Sequence, residues 1–422
     1  MLHADLLIRR AREILTCAGP APRTGSRQGE VSPLRHASIA SRDGRIVAVG
    51  PSAALDSTVT LTPGAHVIDA SSCSIVPGFV DAHTHAVFAG DRREELRRRL
   101  AGATYAEIAA AGGGILSTVA ATRAASEDEL VAQSRARLDE MLSTGTTTCE
   151  VKSGYGLDLE SEMKMLRAAR RLQSAQPIEL VVTFMGAHEI PPEYRSNRSA
   201  YVDLVVNDMI PAVASEGLAE WCDVFCETGV FTPEESERIL TAGAARGLRP
   251  RIHADELAAS GGSRVAARVG ARSADHLIFV PQEGIDAMAR AGVTATLLPS
   301  AAFYLKLGRW APARALIDAG VAVALATDVN PGGGFSPSVP FAISLACFAM
   351  HLTFEEALVA ATLNGAWSLD RATDVGSLET GKLMDAVLVH GDAINLIRNG
   401  APSIAAVIKR GHTVRGEDTL ER

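Results

Sequence analysis

The sequence predicts an α/β protein: a parallel barrel of repeated βα units over residues 76–375, beside a small β-domain made from both chain ends, 1–75 and 376–422. Three observations carry this. Strand-like and helix-like segments alternate through the middle of the chain, whereas both ends read as short strands and turns. The polar residues able to do chemistry fall one after another at the ends of the middle strands, the edge where parallel barrels build sites. A doubly wound open sheet would also alternate, but no Gly-x-Gly-x-x-Gly opens a helix after the first strand.

Composition sets the limits. Hydrophobic residues make up 47% and charged residues 21%, which suits a large buried core in a soluble enzyme. A net charge of −8 argues against nucleic acid or an anionic membrane as the main partner. No long apolar run follows Met1, and Arg9-Arg10 interrupts early, so neither a secretory signal nor a membrane span is expected and the cytoplasm is the expected location. The six cysteines are scattered without a Cys-x-x-Cys pair and read as reduced thiols, Cys222 and Cys226 included.

Taken in order, Leu6-Leu7-Ile8 and Glu13-Ile14-Leu15-Thr16 open the chain as short strands. The Pro-, Gly- and Ser-rich stretch 18–33 reads as an exposed loop. Residues 37–40 and 45–49 flank Asp43-Gly44, a hairpin signal. Residues 66–69 add a strand, and 385–389, 405–408 and 413–414 repeat the texture at the other end. Neither end buries a sheet alone, so the two are expected to share one. In the middle, strands are expected at 146–151, 180–185, 223–225, 250–253, 273–276, 293–298 and 321–326. Helical spacing marks 105–111, 127–142, 161–172 and 233–245, and the apolar run 341–350 reads as a buried helix. Gly112-Gly113-Gly114 lacks the Lys-Ser/Thr of a phosphate loop.

His83 and His85 stand two apart in Pro77-Gly78-Phe79-Val80-Asp81-Ala82-His83-Thr84-His85. On an extended segment alternate side chains share a face, so two imidazoles converge, half of a metal site. Lys152, Tyr155, His188, His253, His276 and Asp328 follow on later strand ends. His253 leads Ala254-Asp255-Glu256, which brings an imidazole and a carboxylate to one pocket. Asp328 ends an apolar strand and precedes Asn330-Pro331-Gly332-Gly333-Gly334. Singly, each has a plain structural alternative, a hydrogen-bonded core histidine or a helix-capping aspartate. In succession they point to a shared site. His83, His85, His253 and Asp328 offer three neutral nitrogens and one hard oxygen, suited to Zn²⁺ or Fe²⁺ with a place for water. Such an ion makes water acidic near neutral pH, and Glu256 and His276 are candidate proton carriers. This chemistry fits attack on a carbonyl or amidine carbon.

These motifs, with Ala274-Asp275-His276 and Thr327-Asp328-Val329-Asn330-Pro331-Gly332, resemble the metal-dependent amidohydrolase superfamily. Within it, Glu150-Val151-Lys152-Ser153-Gly154-Tyr155-Gly156-Leu157 and Met185-Gly186-Ala187-His188 resemble the imidazolonepropionase family, over nearly the whole chain. The resemblance implies a (β/α)8 TIM-type barrel with a small β-sandwich from both termini. It implies hydrolytic ring opening of 4-imidazolone-5-propanoate to N-formimidoyl-L-glutamate in histidine degradation. It assigns metal to His83, His85, His253 and Asp328, and catalysis to Glu256, His276 and Asp328. Substrate contacts fall on Arg92, Tyr155, His188, Glu256, Asn330, Gly332 and Gly333, although Gly333 stands where the family often has Ser or Thr. Arg92 would hold the propionate with a forked ion pair. One metal per chain is expected, Zn²⁺ or Fe²⁺/Fe³⁺, with Lys152 unmodified, unlike the bridging lysine of many dinuclear relatives. The expected partners are a small-molecule substrate and a second copy of the chain, with no nucleic acid and no membrane. Two alternatives share the ligand set. One is a deaminase or cyclic amidohydrolase of another heterocycle, which would not need Arg92. The other is a catalytically dead barrel, which would have no reason to keep four ligands.

Overall fold

The structure is a computed structural model and describes residues 2–103, 107 and 113–416. Strands β1 (Leu2–Leu15), β2 (Pro33–Arg42), β3 (Arg45–Pro51), β4 (Val59–Asp69) and β5 (Cys73–Pro77) come from the N-terminal end. The β2–β3 hairpin turns at Asp43-Gly44, and both residues take the positive φ that a two-residue turn requires (51° and 75°). Eight parallel strands then form the barrel: β6 (Phe79–Asp81), β7 (Thr146–Lys152), β8 (Glu179–Ala187), β9 (Trp221–Cys226), β11 (Ile252–Ala254), β12 (Ser273–His276), β13 (Thr294–Leu297) and β14 (Val323–Leu325). The short β10 (Arg249–Pro250) pairs only with β9. At the far end β15 (Ala386–His390), β16 (Ile404–Lys409) and β17 (His412–Gly416) return to the first sheet.

That sheet runs β17-β16-β15-β5-β1-β2-β3, with β4 also on β1. The seam between the two chain ends is the antiparallel β15–β5 pair, from Ala386 opposite Pro77 to His390 opposite Cys73. Alternate residues of both ends (Leu6, Ile8, Ile39, Ile75, Leu388 and Ile408 among them) point into one buried cluster, so the ends share a core as expected.

Three of the helices between the barrel strands start at a capping side chain. Ser126 and Glu129 form a capping box at Glu127–Ser143, Asp158 caps Leu159–Ala175, and Thr232 with Glu235 caps Pro233–Ala244. The expected helix over 105–111 lies outside the described residues apart from Glu107, as does Gly112 of the triple-glycine stretch. The ring closes between β14 and β6 through their extensions: Asp328 N–H donates to the His83 carbonyl (3.1 Å) and His85 N–H to the Val329 carbonyl (2.9 Å). The Asp81 carboxylate accepts from both Thr327 N–H (2.9 Å) and Thr327 Oγ1 (2.6 Å) across the same seam.

Two expectations need correction. The stretch 18–33 is not an exposed loop: it packs under the barrel, with Arg23 and Gln28 buried. Gln28 Nε2 donates to the Val323 carbonyl (2.9 Å), and Asn364 Nδ2 donates to both Gln28 Oε1 (3.0 Å) and the Val323 carbonyl (3.0 Å). Side-chain amides thus satisfy the β14 backbone at the bottom of the ring. The helix Val339–Ala349 is buried on one side only; Ile343 and Ala346 are inside, but Phe348 is 75% exposed. Among the described residues no helix is long and apolar enough to cross a membrane, and all six cysteines are free.

Candidate active site

The four ligands expected from the sequence, and the expected proton carrier His276 with them, lie at the same end of the barrel. His83 and His85 lie just past β6, His253 within β11, His276 at the end of β12 and Asp328 just past β14. His85 Nε2 is 3.3 Å from His253 Nε2, and Asp328 Oδ1 is 3.6 Å from His83 Nε2 and 3.8 Å from His85 Nε2. Donor atoms of His83, His85 and His253 all lie within 4.8 Å of one another, and so do those of His83, His276 and Asp328. Burial, with Lys152 and other imidazoles nearby, holds His83 well below the ordinary histidine range. Burial, with His188 and His253, does the same to His85. Both are therefore neutral rings with a lone pair to offer. His83 Nε2 is buried with no hydrogen-bond partner, and the Nε2 atoms of His85 and His253 face each other at 3.3 Å beside it. The donor set thus fits a borderline divalent ion.

Behind these rings lies a buried charged layer. His83 Nδ1 is 2.7 Å from Asp275 Oδ2, and His253 Nδ1 is 3.1 Å from Asp223 Oδ2. Asp275 accepting at His83 Nδ1 leaves Nε2 of that ring free to face the centre, and Asp223 stands close enough to His253 Nδ1 to act on it through charge. Lys152 Nζ donates to Glu150 Oε1 (2.6 Å) and Asp223 Oδ2 (2.7 Å). Burial alone would lower the Lys152 ammonium, but Asp223 and Glu150 hold it above its ordinary value. Arg251 completes the layer, 3.4 Å from both Glu150 Oε1 and Asp275 Oδ2.

Above the rings is a cavity of about 650 Å³, lined by His85, Arg92, Tyr155, His188, His253, Glu256, His276, Asp328, Asn330, Gly332 and Gly333. His188 shares Nδ1 with the Gly154 carbonyl (3.0 Å) and stacks on His85 at 4.8 Å. Its pKa falls to about 3 through burial and the nearby His253, so its Nε2 is an acceptor. Tyr155 is buried beside it, and its loop is pinned because the Glu162 carboxylate accepts from the N–H groups of Gly154, Gly156 and Leu157. Burial, with Asp328 nearby, pushes Glu256 well above the usual carboxylate range. Glu256 Oε1 is 3.5 Å from His276 Nδ1. Its loop is fixed by Glu227 Oε2, which accepts from Leu257 N–H (2.7 Å).

Arg92 lies just before the helix Arg93–Leu100 with its side chain only 10% exposed. Its Nε and Nη2 hold Glu95 Oε2 (2.9 and 2.7 Å), which leaves Nη1 toward the Gly332 turn. That turn is self-contained. Asn330 Oδ1 accepts from Gly332 N–H (2.8 Å) and Gly333 N–H (2.6 Å), and Asn330 Nδ2 donates to the Asp328 carbonyl (2.8 Å). The backbone N–H donors of Gly332 and Gly333 are thus engaged within the turn.

Sequence reasoning placed the cavity-facing residues and missed the layer beneath. Glu150, Asp223, Arg251 and Asp275 were in view, but nothing local marked them as partners. The available signal was spacing: Glu150 with Lys152 and Arg251 with His253 are i,i+2 pairs of polar groups in otherwise buried segments.

A family model described as the amidohydrolase family matches residues 74–414. An imidazolonepropionase of Symbiobacterium thermophilum is 50% identical over 425 aligned residues, covering 100% of both chains. One of Geobacillus kaustophilus is 50% identical over 388, covering 91% of each. Among solved structures, a triazine hydrolase from Arthobacter aurescens superposes with a TM-score of 0.74 at 21% identity, covering 97% of this chain and 94% of that one. An adenosine deaminase from Xanthomonas campestris with bound zinc gives 0.72 at 19%, covering 99% and 94%. At such identities the solved structures speak for the fold alone.

Proposed function

The chain belongs to the amidohydrolase family and within it to the imidazolonepropionases, hydrolases that open the ring of 4-imidazolone-5-propanoate to N-formimidoyl-L-glutamate in histidine degradation, and we propose which of its residues do so. His83, His85, His253 and Asp328 hold one metal ion, Zn²⁺ or Fe²⁺/Fe³⁺. Such an ion, when bound, supplies an acidified water and an electrophilic pull on the ring carbonyl.

The chain's own groups do the rest. Arg92 binds the propionate through Nη1, with Glu95 holding the other side of its guanidinium. His188 and Tyr155 orient the ring. Asp328 and His276 take the proton of the attacking water. Its oxygen ends in the new carboxylate as the carbon–nitrogen bond breaks. Glu256, protonated by its buried setting, gives a proton to the leaving nitrogen. Asn330, Gly332 and Gly333 shape the wall beside the substrate, the amide bracing the turn and Gly332 letting Arg92 approach.

The observation that best supports this reading is that His83, His85, His253 and Asp328 bring ligand atoms within 3.3–3.8 Å of one another in pairs at one end of a cavity lined by Arg92. Lys152 is held by two carboxylates, in keeping with one metal per chain and an unmodified amine. A deaminase reading has no observation of its own in favour. We further propose a barrel unit at 76–375 with a composite unit at 1–75 and 376–422, and a homodimer. Phe348 and Phe303, the latter packed against Phe341 on the helix of Phe348, are exposed apolar surface for a second copy. The six free thiols fit a reducing cytoplasm.

The test is turnover of freshly made 4-imidazolone-5-propanoate, followed by loss of ring absorbance and by product mass. Metal-replete protein should yield a formimidoyl-glutamate mass, and Asp328→Ala should not. No turnover by the metal-replete wild type would reject the substrate.

A further inference from the structure

Five charged groups sit inside the ring beneath the ligands: Glu150, Asp223 and Asp275 against Lys152 and Arg251, all with fully buried side chains. A barrel interior is ordinarily filled by branched apolar residues, and burying ion pairs is not a route to stability, since apolar replacements are often neutral or better. Stability therefore gives no reason for this layer. Its contacts give one. Each carboxylate has one oxygen toward a cation and a link toward a ligand: Asp223 to His253 Nδ1 (3.1 Å), Asp275 to His83 Nδ1 (2.7 Å), and Glu150 Oε2 to Thr84 N–H (3.4 Å), the amide between His83 and His85. Lys152 Nζ is the group common to all three, 2.6 Å from Glu150, 2.7 Å from Asp223 and 3.9 Å from Asp275. Asp223 is also tied to the strand that carries its histidine, because Oδ1 accepts from His253 N–H (3.1 Å).

We propose that Lys152 is a positioning residue: it never meets substrate, but by gripping Asp223 and Glu150 it fixes the ring of His253 and the backbone between His83 and His85 in the ligating pose. The inference rests on the metal reading above and extends it to a residue outside the ligand set. Lys152 acts mainly through Asp223, the carboxylate it shares with a ligating histidine. Arg251 supports Asp275 in the same way but also donates to the Ala82 carbonyl (2.9 Å) and the Ser368 carbonyl (2.8 Å), so its loss would disturb more than the layer.

The experiment uses the full-length protein and two readouts other than turnover. Zn²⁺ affinity is measured by competition with a chromophoric chelator, and ligand geometry by the visible absorption of the Co²⁺-loaded protein. Lys152→Met should weaken Zn²⁺ binding by about 10- to 100-fold, the range for loss of a group behind a metal ligand, and should shift the Co²⁺ bands. Asp223→Asn should lose a similar factor. In the Asp223→Asn background Lys152→Met should cost less than about 3-fold more, because contacting residues acting in one chain are not additive. Wild-type affinity and an unchanged Co²⁺ spectrum in Lys152→Met would overturn the proposal, and so would fully additive losses. If Lys152→Met does not fold, Asp223→Asn decides alone, and unchanged affinity there overturns it. A wild type that binds Zn²⁺ tightly yet leaves the imidazolone untouched would remove the substrate assignment and leave this role of Lys152 standing.

Discussion

At the residue scale the site depends on a few side chains with distinct duties, and their losses should look different. Glu256 faces the cavity without binding metal in this scheme. Glu256→Gln should therefore keep Zn²⁺ content and thermal stability while lowering kcat by about 10²–10⁴-fold, the usual reach of one proton donor. Metal analysis beside steady-state rates checks this; full turnover would remove Glu256 from the chemistry. Arg92→Met should act on substrate affinity instead. Loss of a hydrogen-bonded charge, about 1.5–3 kcal/mol, predicts a fall in kcat/KM of about 10- to 150-fold, carried mainly by KM. The effect should shrink for an analogue without the carboxylate. These residues were legible because chemistry restricts them: a histidine or aspartate where an apolar strand ends has few bland uses. Glu150, Asp223, Arg251 and Asp275 were not, because a charge within a strand looks the same whether it faces a buried layer or water. Asp328 adds a detail no sequence pattern carries. It takes a left-handed backbone (φ 54°), a conformation Asp tolerates better than most residues.

At the element scale the Asn330–Gly334 turn shows why three glycines in a row are not equivalent. A Cβ on Gly334 would lie 1.6 Å from the Asp328 carbonyl oxygen, and one on Gly332 would lie 2.2 Å from Arg92 Nη1. A Cβ on Gly333 would meet nothing nearer than Leu305 at 3.6 Å. Gly333→Ser should therefore fold with an unchanged Tm, Gly332→Ala should disturb Arg92 and raise KM, and Gly334→Ala should yield little folded protein. Thermal melts and kinetics of the three variants check the order. At position 333, where the family often has Ser or Thr, the turn itself needs no side chain, since Asn330 closes it. The sequence marked the turn through its Pro and Gly, but not which glycine touches what, since that depends on Arg92 arriving from a distant loop. The stretch 18–33 taught the opposite lesson. Its composition looked solvent-facing, yet Gln28 and Arg23 are interior, because amides on remote segments complete the backbone of β14. Gln28→Ala should destabilise the fold by about 1–3 kcal/mol, the cost of leaving the buried Val323 N–H, which donates to Gln28 Oε1, unpaired. Urea unfolding would read this, with activity in the folded fraction intact.

At the scale of the whole molecule, the barrel and the sheet of joined ends were both visible in the alternation of periods, because binary patterning reports burial directly. Ring closure was not. It rests on backbone bonds and the Asp81–Thr327 contact between the first and last barrel strands, a pairing between residues far apart in sequence. Metal removal should be felt globally for the same reason, since ligands from β6, β11 and β14 converge on one point. Dialysis against a chelator should lower the Tm, and stoichiometric Zn²⁺ or Fe²⁺ should restore it, because an ion bound only by the folded state stabilises it by mass action.

The seam between β5 and β15 carries a consequence for the chain as it is made. A ribosome delivers β5 some 310 residues before its antiparallel neighbour, from Pro77 to Ala386. At about 5–20 residues per second, that open edge waits for roughly 15–60 s. Through that interval β5 offers unpaired amides and carbonyls to any extended strand nearby, including those of neighbouring nascent chains on the same message. The joined ends thus make synthesis itself the period of greatest exposure, and a chaperone that shields strand edges would matter most then, before the active site exists.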